Sequence, residues 1–340
     1  MSFANNIQLI RKLSFRKLIN ALKIWVSFHI SKNSKRPSTL GYPISIAIEP
    51  TTSCNLRCPE CPSGLRQFTR PIGMLEPVFF KSTIDAVCKE LIYLTFYFQG
   101  EPYLNPNFLE MVKYASDKKI YTSTSTNAHY LTEEQAKKTV ESGLDRLIIS
   151  IDGTTQEVYQ QYRVGGNLEK VIEGTKNIVE AKRKLKSKTP HLVFQFLVVK
   201  PNEHQLNEVE QLAAELGVDE VLFKTAQVYE YKNGNPLIPT NEKYSRYKRN
   251  ADGTYSIKNM LLNQCWRMWS SCVITWDGVV VPCCFDKDAK HQLGDLKTQS
   301  FSELWKSSKY QSFRQSVLKS REEIDICKNC SEGTKVWAEA

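Results

Sequence analysis

Three cysteines lie close together in the stretch TTSCNLRCPECPSG, as Cys54, Cys58 and Cys61, with three and then two residues between them. The preceding run ISIAIEP, residues 44–50, is apolar and β-branched, so it predicts a strand that delivers the cysteines on a short loop. Thiolates are soft ligands. Three of them can grip three irons of a cubane cluster and leave the fourth iron without a protein ligand. An open iron can bind a small chelating molecule directly. Structural zinc normally takes four protein ligands, so zinc would need a remote fourth donor here.

A second group lies near the other end of the chain. It reads CWRMWSSCVITWDGVVVPCCFD, then HQLGDLKTQSFSELW, then ICKNC. Cys265, Cys283, Cys327 and Cys330 are the chosen ligands of a second [4Fe–4S] cluster, because a closing C-x2-C pair is a common metal grip. The chain must fold back for these to meet, and Asp277-Gly278 supplies a hairpin turn between ITW and VVVPC. Cys284 adjoins Cys283, and neighbours in an extended strand point oppositely. Cys272 lies in the first arm of the hairpin, so either Cys272 or Cys284 could take a chosen ligand's place or stay a buried thiol. Zinc is again the plainer alternative. Four thiolates would close the cluster to substrate and suit it to electron transfer. Cys88 falls in a helical pattern and reads as core.

The elements that must position these groups alternate. Strands are predicted over 44–50, 93–99, 121–126, 146–151, 191–199 and 220–224. Helices are predicted over 79–91, 108–118, 132–142, 168–185 and 203–216. That alternation predicts an α/β fold with parallel strands and right-handed crossovers, and ligands at the carboxyl ends of the strands. Residues 228–256 lose the pattern and read as a bridge. The module from Cys265 to Cys330 has few long periodic elements, so it is expected to be organised around metal. At the other end, Leu13, Phe15, Leu18, Ile19, Leu22, Trp25, Val26 and Phe28 recur at helical spacing between residues 11 and 30, interspersed with Arg11, Lys12, Arg16, Lys17 and Lys23. This predicts a basic amphipathic helix that either packs on the body or rests on an anionic membrane surface. Residues 31–41 read as a linker.

Composition bounds the class. Of 340 residues, 41% are hydrophobic and 24% charged, which suits a packed soluble core. The formal net charge of +10 comes with no recognition module for nucleic acid, so no nucleic-acid partner is expected. That charge could equally offset anionic clusters and an anionic substrate. The ten cysteines fall in tight groups, with no apolar run of the roughly 18 residues that span a membrane and no secretory cleavage pattern. Reduced cytosol and metal are therefore expected, not disulfides, with membrane association as an option through the N-terminal helix.

The three-cysteine loop resembles that of the radical S-adenosylmethionine (SAM) superfamily. The resemblance implies a partial (β/α)6 TIM-like barrel and SAM chelated to the open iron. It also implies cleavage of SAM by the reduced cluster to a 5′-deoxyadenosyl radical that abstracts a substrate hydrogen. Further motifs match at strand ends. YFQGEP carries Gly100, Glu101 and Pro102, with Glu101 placed to accept from the SAM ammonium. STSTN carries Ser123, Ser125 and Asn127, and LIISIDG carries Ser150, which resembles the ribose contact, and Asp152. Two departures are visible: Glu60 replaces the usual aromatic residue before the third cysteine, and Gln99 replaces a glycine.

The C-terminal pattern resembles the SPASM/twitch auxiliary iron–sulfur extensions, and its single second cluster resembles the 2-deoxy-scyllo-inosamine dehydrogenases. This implies two [4Fe–4S] clusters, a flavodoxin- or ferredoxin-like electron donor, and oxidation of a small polar sugar- or cyclitol-like metabolite. Tyr97, Arg163, Gln195, Lys224 and Asp286 are the candidates for the proton-accepting or substrate-facing group. The alternative substrate is a ribosomally made peptide or protein side chain, against which the short N-terminal region stands, since it is too short for a leader-binding domain. The expected organisation is residues 1–42 as N-terminal helix and linker, 43–227 as barrel, 228–260 as bridge and 261–340 as the auxiliary-cluster domain.

Overall fold

Ser14 interrupts the basic amphipathic pattern, and a hydroxyl there caps a helix that starts after it. The single helix expected over 11–30 is accordingly two, α1 (Phe3–Arg11) and α2 (Phe15–Ser34). The Ser14 side chain accepts from the Lys17 N–H, which otherwise has no intrahelical partner. The computed structural model describes residues 3–333. The last residues of the expected 261–340 module, 334–340, lie outside the described residues, as do residues 1 and 2.

The alternating segment then runs β1 (Ser45–Ile48), the single turn α3 (Pro62–Leu65), α4 (Pro77–Val87), β2 (Tyr93–Thr95), α5 (Phe108–Asp117) and β3 (Tyr121–Thr126). It continues with α6 (Glu133–Glu141), β4 (Arg146–Ser150), α7 (Gln156–Tyr162), α8 (Leu168–Lys184), β5 (His191–Val198), α9 (Leu206–Leu216) and β6 (Glu220–Thr225). Strands β1 to β6 pair in parallel and in chain order. All six expected strands are present, and the fold is the α/β partial barrel. Strand β4 is buried along its whole length, as a parallel strand covered on both faces must be.

The bridge contains a small antiparallel hairpin, β7 (Tyr247–Arg249) and β8 (Tyr255–Ile257). The cysteine-rich module follows as α10 (Arg267–Ser270), β9 (Ser271–Ile274), β10 (Val279–Val281), β11 (Gly294–Asp295), α11 (Phe301–Lys306) and α12 (Ser308–Lys319). The turn between β9 and β10 is at Asp277-Gly278, with Gly278 at φ +94°, the left-handed region such a turn requires. Strand β9 pairs in parallel with β1, Cys272 opposite Ile46. One sheet therefore runs β11-β10-β9-β1-β2-β3-β4-β5-β6. The module also has an apolar core: Trp269, Trp305 and Tyr310 are fully buried, and the Arg314 guanidinium stacks 4.3 Å from the Trp305 ring and 4.0 Å from Tyr310. Its packing is continuous with the barrel core.

Helices α1 and α2 lie across the amino ends of the strands. Lys12 bonds Asp145 at 2.5 Å and the Ile120 carbonyl at 3.0 Å, residues that precede β4 and β3. Asn20 holds the backbone of Tyr42 just before β1. Trp269 donates from Nε1 to Ser31 Oγ at 3.1 Å and to the Ser38 carbonyl at 3.0 Å, so the expected linker is stitched to the cysteine module.

Candidate active site

The opposite, carboxyl ends of the strands surround a cavity of about 200 Å³. Cys54, Cys58 and Cys61, on the loop after β1, all line it. The loop is folded tightly on itself: a Cβ on Gly64 would stand 2.6 Å from the Cys58 backbone nitrogen. It is also stitched to the end of β2. Ser63 Oγ accepts from the Gly100 N–H at 3.0 Å, and the Ser53 carbonyl accepts from the Glu101 N–H at 2.7 Å. Gly100 sits at φ +76°, and a Cβ there would come within 2.2 Å of the Thr51 carbonyl oxygen. Only glycine satisfies both the backbone angle and the close approach.

Glu101 is buried, and its carboxylate accepts from Thr126 Oγ1 at 2.7 Å and the Asn127 N–H at 2.8 Å. Burial pushes its pKa up to about 7, against the pull of those two donors. Asn127 donates to Asn55 Oδ1 at 2.8 Å and reaches to 4.0 Å from Cys54 Sγ, so the end of β3 supports the cysteine loop. The hydroxyls of Ser125 and Ser150, on adjacent strands, are 3.3 Å apart and face the same cavity. Asp152 is fully buried; it accepts from the Leu197 N–H at 2.7 Å and from Arg163 Nε at 2.5 Å. Burial raises its pKa, and the Arg163 charge opposes that rise. Burial likewise lifts the Cys54 thiol to about 12 and raises Cys58, the latter opposed by Arg163.

Three sulfurs on one wall, beside a carboxylate, an amide and two hydroxyls, fit a cluster with one iron left for a polar chelating ligand. Among the described residues lining the cavity there is no fourth thiol and no imidazole.

In the module, Cys265, Cys327 and Cys330 are buried and lie within range of one another's charge, and Cys283 lies within range of Cys265 and Cys330. A Cβ on Gly333 would stand 2.4 Å from Cys265 Sγ. Arg321, itself buried, donates from Nη2 to Cys330 Sγ at 3.1 Å, while its Nε has no partner in the structure. Burial is the first cause lifting Cys330 to about 12 and raising Cys283 strongly. Among the described residues no three Cys, His, Asp or Glu side chains are drawn together at metal-ligand distance; in kind, four thiols near a buried cation suit an anionic metal–sulfur cluster. Cys272 is buried in β9 with Arg314 as its charged neighbour, and Cys284 is exposed.

The radical SAM superfamily model matches residues 48–216, and the iron–sulfur cluster-binding SPASM domain matches residues 265–331. The chain carries a radical SAM domain and a SPASM domain. The match to the tungsten-containing aldehyde ferredoxin oxidoreductase cofactor-modifying protein of Pyrococcus furiosus is 27% identical, over 78% of this chain and 82% of that protein. The PqqA peptide cyclase of Bradyrhizobium diazoefficiens is 26% identical over 62% of this chain, and the AdoMet-dependent heme synthase of Methanosarcina barkeri 31% over 52%. This chain spans only about half of those two proteins, 54% and 48%. Among solved structures, SuiB of Streptococcus suis bound to S-adenosylmethionine shares the fold with a TM-score of 0.63 at 14% identity, over 90% of this chain and 75% of SuiB. BtrN in complex with AdoMet and 2-DOIA shares it with a TM-score of 0.53 at 19% identity, over 86% and 94%.

Within this radical SAM–SPASM chain the expected site residues separate into groups. Gly100, Glu101, Ser125, Asn127 and Ser150 line the cavity with the three cysteines, and so do Tyr97, Arg163 and Gln195. Pro102 is buried at the start of a 3-10 turn, Pro102–Leu104, behind the lining. Ser123 is buried one layer below Ser125 on the same face of β3. Asp152 acts through Arg163. Lys224 is not among the lining residues. Asp286 is buried in a loop, with its carboxylate committed to the Lys290 and His291 N–H groups at 2.8 Å each. Sequence reading missed Ser63, Thr126, Tyr162 and Leu197, which also line the cavity or hold its walls. Thr126 was legible within STSTN, but its role comes from a bond to a residue 25 positions away. Glu60, the departure in the cysteine loop, accepts from the Tyr229 N–H at 3.0 Å and so ties the bridge to the loop.

Proposed function

We propose that this protein is a radical SAM oxidoreductase that takes a hydrogen atom from, and oxidises, a small polar metabolite of sugar or cyclitol type. The observation that carries the reading is the set of polar groups that line the cavity beside the three cysteines and are not assigned to SAM: Gln195, Tyr97 and Arg163. Amide, phenol and guanidinium groups together match a substrate rich in hydroxyls, as donors and acceptors both. Cys54, Cys58 and Cys61 would hold the first [4Fe–4S] cluster, and Glu101, Asn127, Ser125 and Ser150 would hold SAM, with Gly100, Pro102, Ser123 and Asp152 shaping their backing. Cys265, Cys283, Cys327 and Cys330 would hold the auxiliary cluster. When bound, SAM and its cluster supply radical hydrogen-atom abstraction.

The protein's own part is positioning and exclusion of water. Arg163 is held at the cavity wall by its bond to Asp152. Tyr97 lines the cavity and stands within charge range of Cys284 and Arg267, so the cavity and the cysteine module adjoin. Burial holds the Tyr97 hydroxyl protonated, its pKa pushed up to about 12, so at neutral pH it is a hydrogen-bond donor and not a base. A flavodoxin- or ferredoxin-like protein in the cytoplasm is the proposed electron source.

The second reading is modification of a ribosomally made peptide, which the resemblance to the PqqA peptide cyclases favours. Anaerobic turnover separates the two. Polyhydroxylated metabolites and short peptides are each offered with SAM and reductant, and 5′-deoxyadenosine and product mass are scored. The leading reading expects 5′-deoxyadenosine together with a metabolite lighter by one H2. Turnover with peptides alone would replace it with the second.

A further inference from the structure

Helix α2 is apolar along the side that faces away from the body of the protein. Lys17, Asn20, Ala21, Ile24, Ser27, Phe28 and Ser31 are its buried residues, packed on the body of the protein. On the other side Phe15, Leu18, Leu22 and Trp25 are 80%, 50%, 60% and 40% exposed. Their spacing puts them in one stripe along the helix, and Ile19 and Ile30, also exposed, widen it. Three of the seven buried residues are apolar, Ala21, Ile24 and Phe28, whereas the outer stripe is apolar throughout and the fold leaves it uncovered.

Charge says what meets that stripe. Residues 1–48 contain eight Lys and Arg and no Asp or Glu, so they carry +8 of the chain's net +10. Some of that charge is used internally: Lys12 pairs with Asp145, Arg16 with Glu90, and Lys17 is buried against backbone carbonyls. Arg11, Lys23, Lys35 and Arg36 remain exposed. The helical advance of about 100° per residue sets Lys23 along one flank of the apolar stripe and Lys32 along the other. A groove of about 350 Å³ opens beside the stripe, between Phe15, Ile19 and Lys23 of α2 and Leu40 and Tyr42 of the returning chain.

We propose that the outer face of α2 is a lipid-binding surface that seats this protein on an anionic bilayer. The apolar stripe enters the boundary between headgroups and acyl chains, and the flanking cations meet lipid phosphates, their stems lying along the apolar surface. Among the described residues no helix is long and apolar enough to cross a membrane, so the attachment is in-plane. Because α1 and α2 cover the amino ends of the strands, the cavity at the carboxyl ends faces away from the bilayer. A soluble substrate keeps free access when the protein is docked. The inference rests on α2 alone and stands whatever the substrate proves to be.

The test uses the anaerobically reconstituted full chain. It is sedimented with vesicles of phosphatidylcholine alone and with vesicles also containing phosphatidylglycerol, at low and high salt. Association with the phosphatidylglycerol vesicles only, weakened by salt, is expected. The variant L18E/L22E should bind about tenfold or more weakly while keeping the wild-type thermal unfolding, and Lys23→Glu should weaken binding at low salt more than at high salt. Absence of association with anionic vesicles at low salt overturns the proposal, as does equal binding by L18E/L22E. If light scattering shows a dimer that L18E/L22E converts to monomer, with no vesicle binding, the face joins two copies and the lipid proposal fails.

Discussion

The guanidinium of Arg163 stands 3.8 Å from the Cys58 sulfur while its Nε is bonded to Asp152. The two contacts fix a cation against one end of the three-cysteine loop. Asp152 is fully buried; burial works against its charge, and Arg163 and the Leu197 N–H support it. Arg163→Met should therefore cost about 3–5 kcal/mol, the usual penalty for leaving one member of a buried pair uncompensated. Asp152→Asn in the same chain should return part of the loss. Denaturant unfolding of the two variants checks this: a double variant no more stable than Arg163→Met would contradict the coupling.

The two cysteine groups lie on separate segments, one on the loop after β1 and the other on loops of the C-terminal module, so they should load independently. Replacing Cys54, Cys58 and Cys61 together with Ala should take the reconstituted protein from about eight irons per chain to about four, the content of one cubane cluster. Reductive cleavage of SAM should disappear in the same protein. Iron and sulfide analysis with anaerobic SAM turnover reads both, and a wild type holding about four irons would count against two clusters.

Which parts of this arrangement could be read in the sequence depends on how local the signal is. The six parallel strands were legible because each is a short apolar run between amphipathic helices, and they appear in order from β1 to β6. The hairpin at Asp277-Gly278 was legible from its turn residues. The pairing of β9 with β1 was not, because strands joined across more than two hundred residues leave no mark on either segment. The apolar core of the module was underestimated because Trp269, Trp305 and Tyr310 sit in short elements with no long period. In the site, strand-end residues such as Glu101 and Ser150 were visible as motif positions. Lys224 and Asp286 looked equally polar and near strand ends or cysteines, yet one is absent from the cavity lining and the other holds its own loop. The break at Ser14 was a cap signal hidden inside a continuous amphipathic pattern.

Gly100 and Gly253 separate two kinds of strain. Both have positive φ, +76° and +85°, but a Cβ on Gly253 meets nothing within 4 Å whereas one on Gly100 runs into Thr51. Gly253→Ala should cost only the left-handed backbone penalty, about 1–2 kcal/mol. Gly100→Ala should cost more and should also displace the loop that carries the cysteines. Its SAM affinity by calorimetry should fall at least about tenfold, with Gly253→Ala unchanged within error. Equal effects of the two substitutions would mean that the approach to Thr51 carries no weight.

Glu101 sets stability against binding, and the sign follows from its pKa. Burial raises the folded-state value from an ordinary 4.5 to about 7. Between those two pH values the folded protein binds more proton than the unfolded chain, so stability falls as pH rises from 4.5 toward 7 and levels off above. Glu101→Gln mimics the protonated acid and escapes that loss. In cluster-free protein the variant should gain on wild type across this window by about 3 kcal/mol. Its affinity for SAM should fall at the same time, because the neutral amide cannot pair with an ammonium group. Unfolding of both proteins at several pH values gives the first quantity, and calorimetry on reconstituted protein gives the second. A difference in stability that does not vary with pH would show that Glu101 titrates in the fold as it does in the unfolded chain.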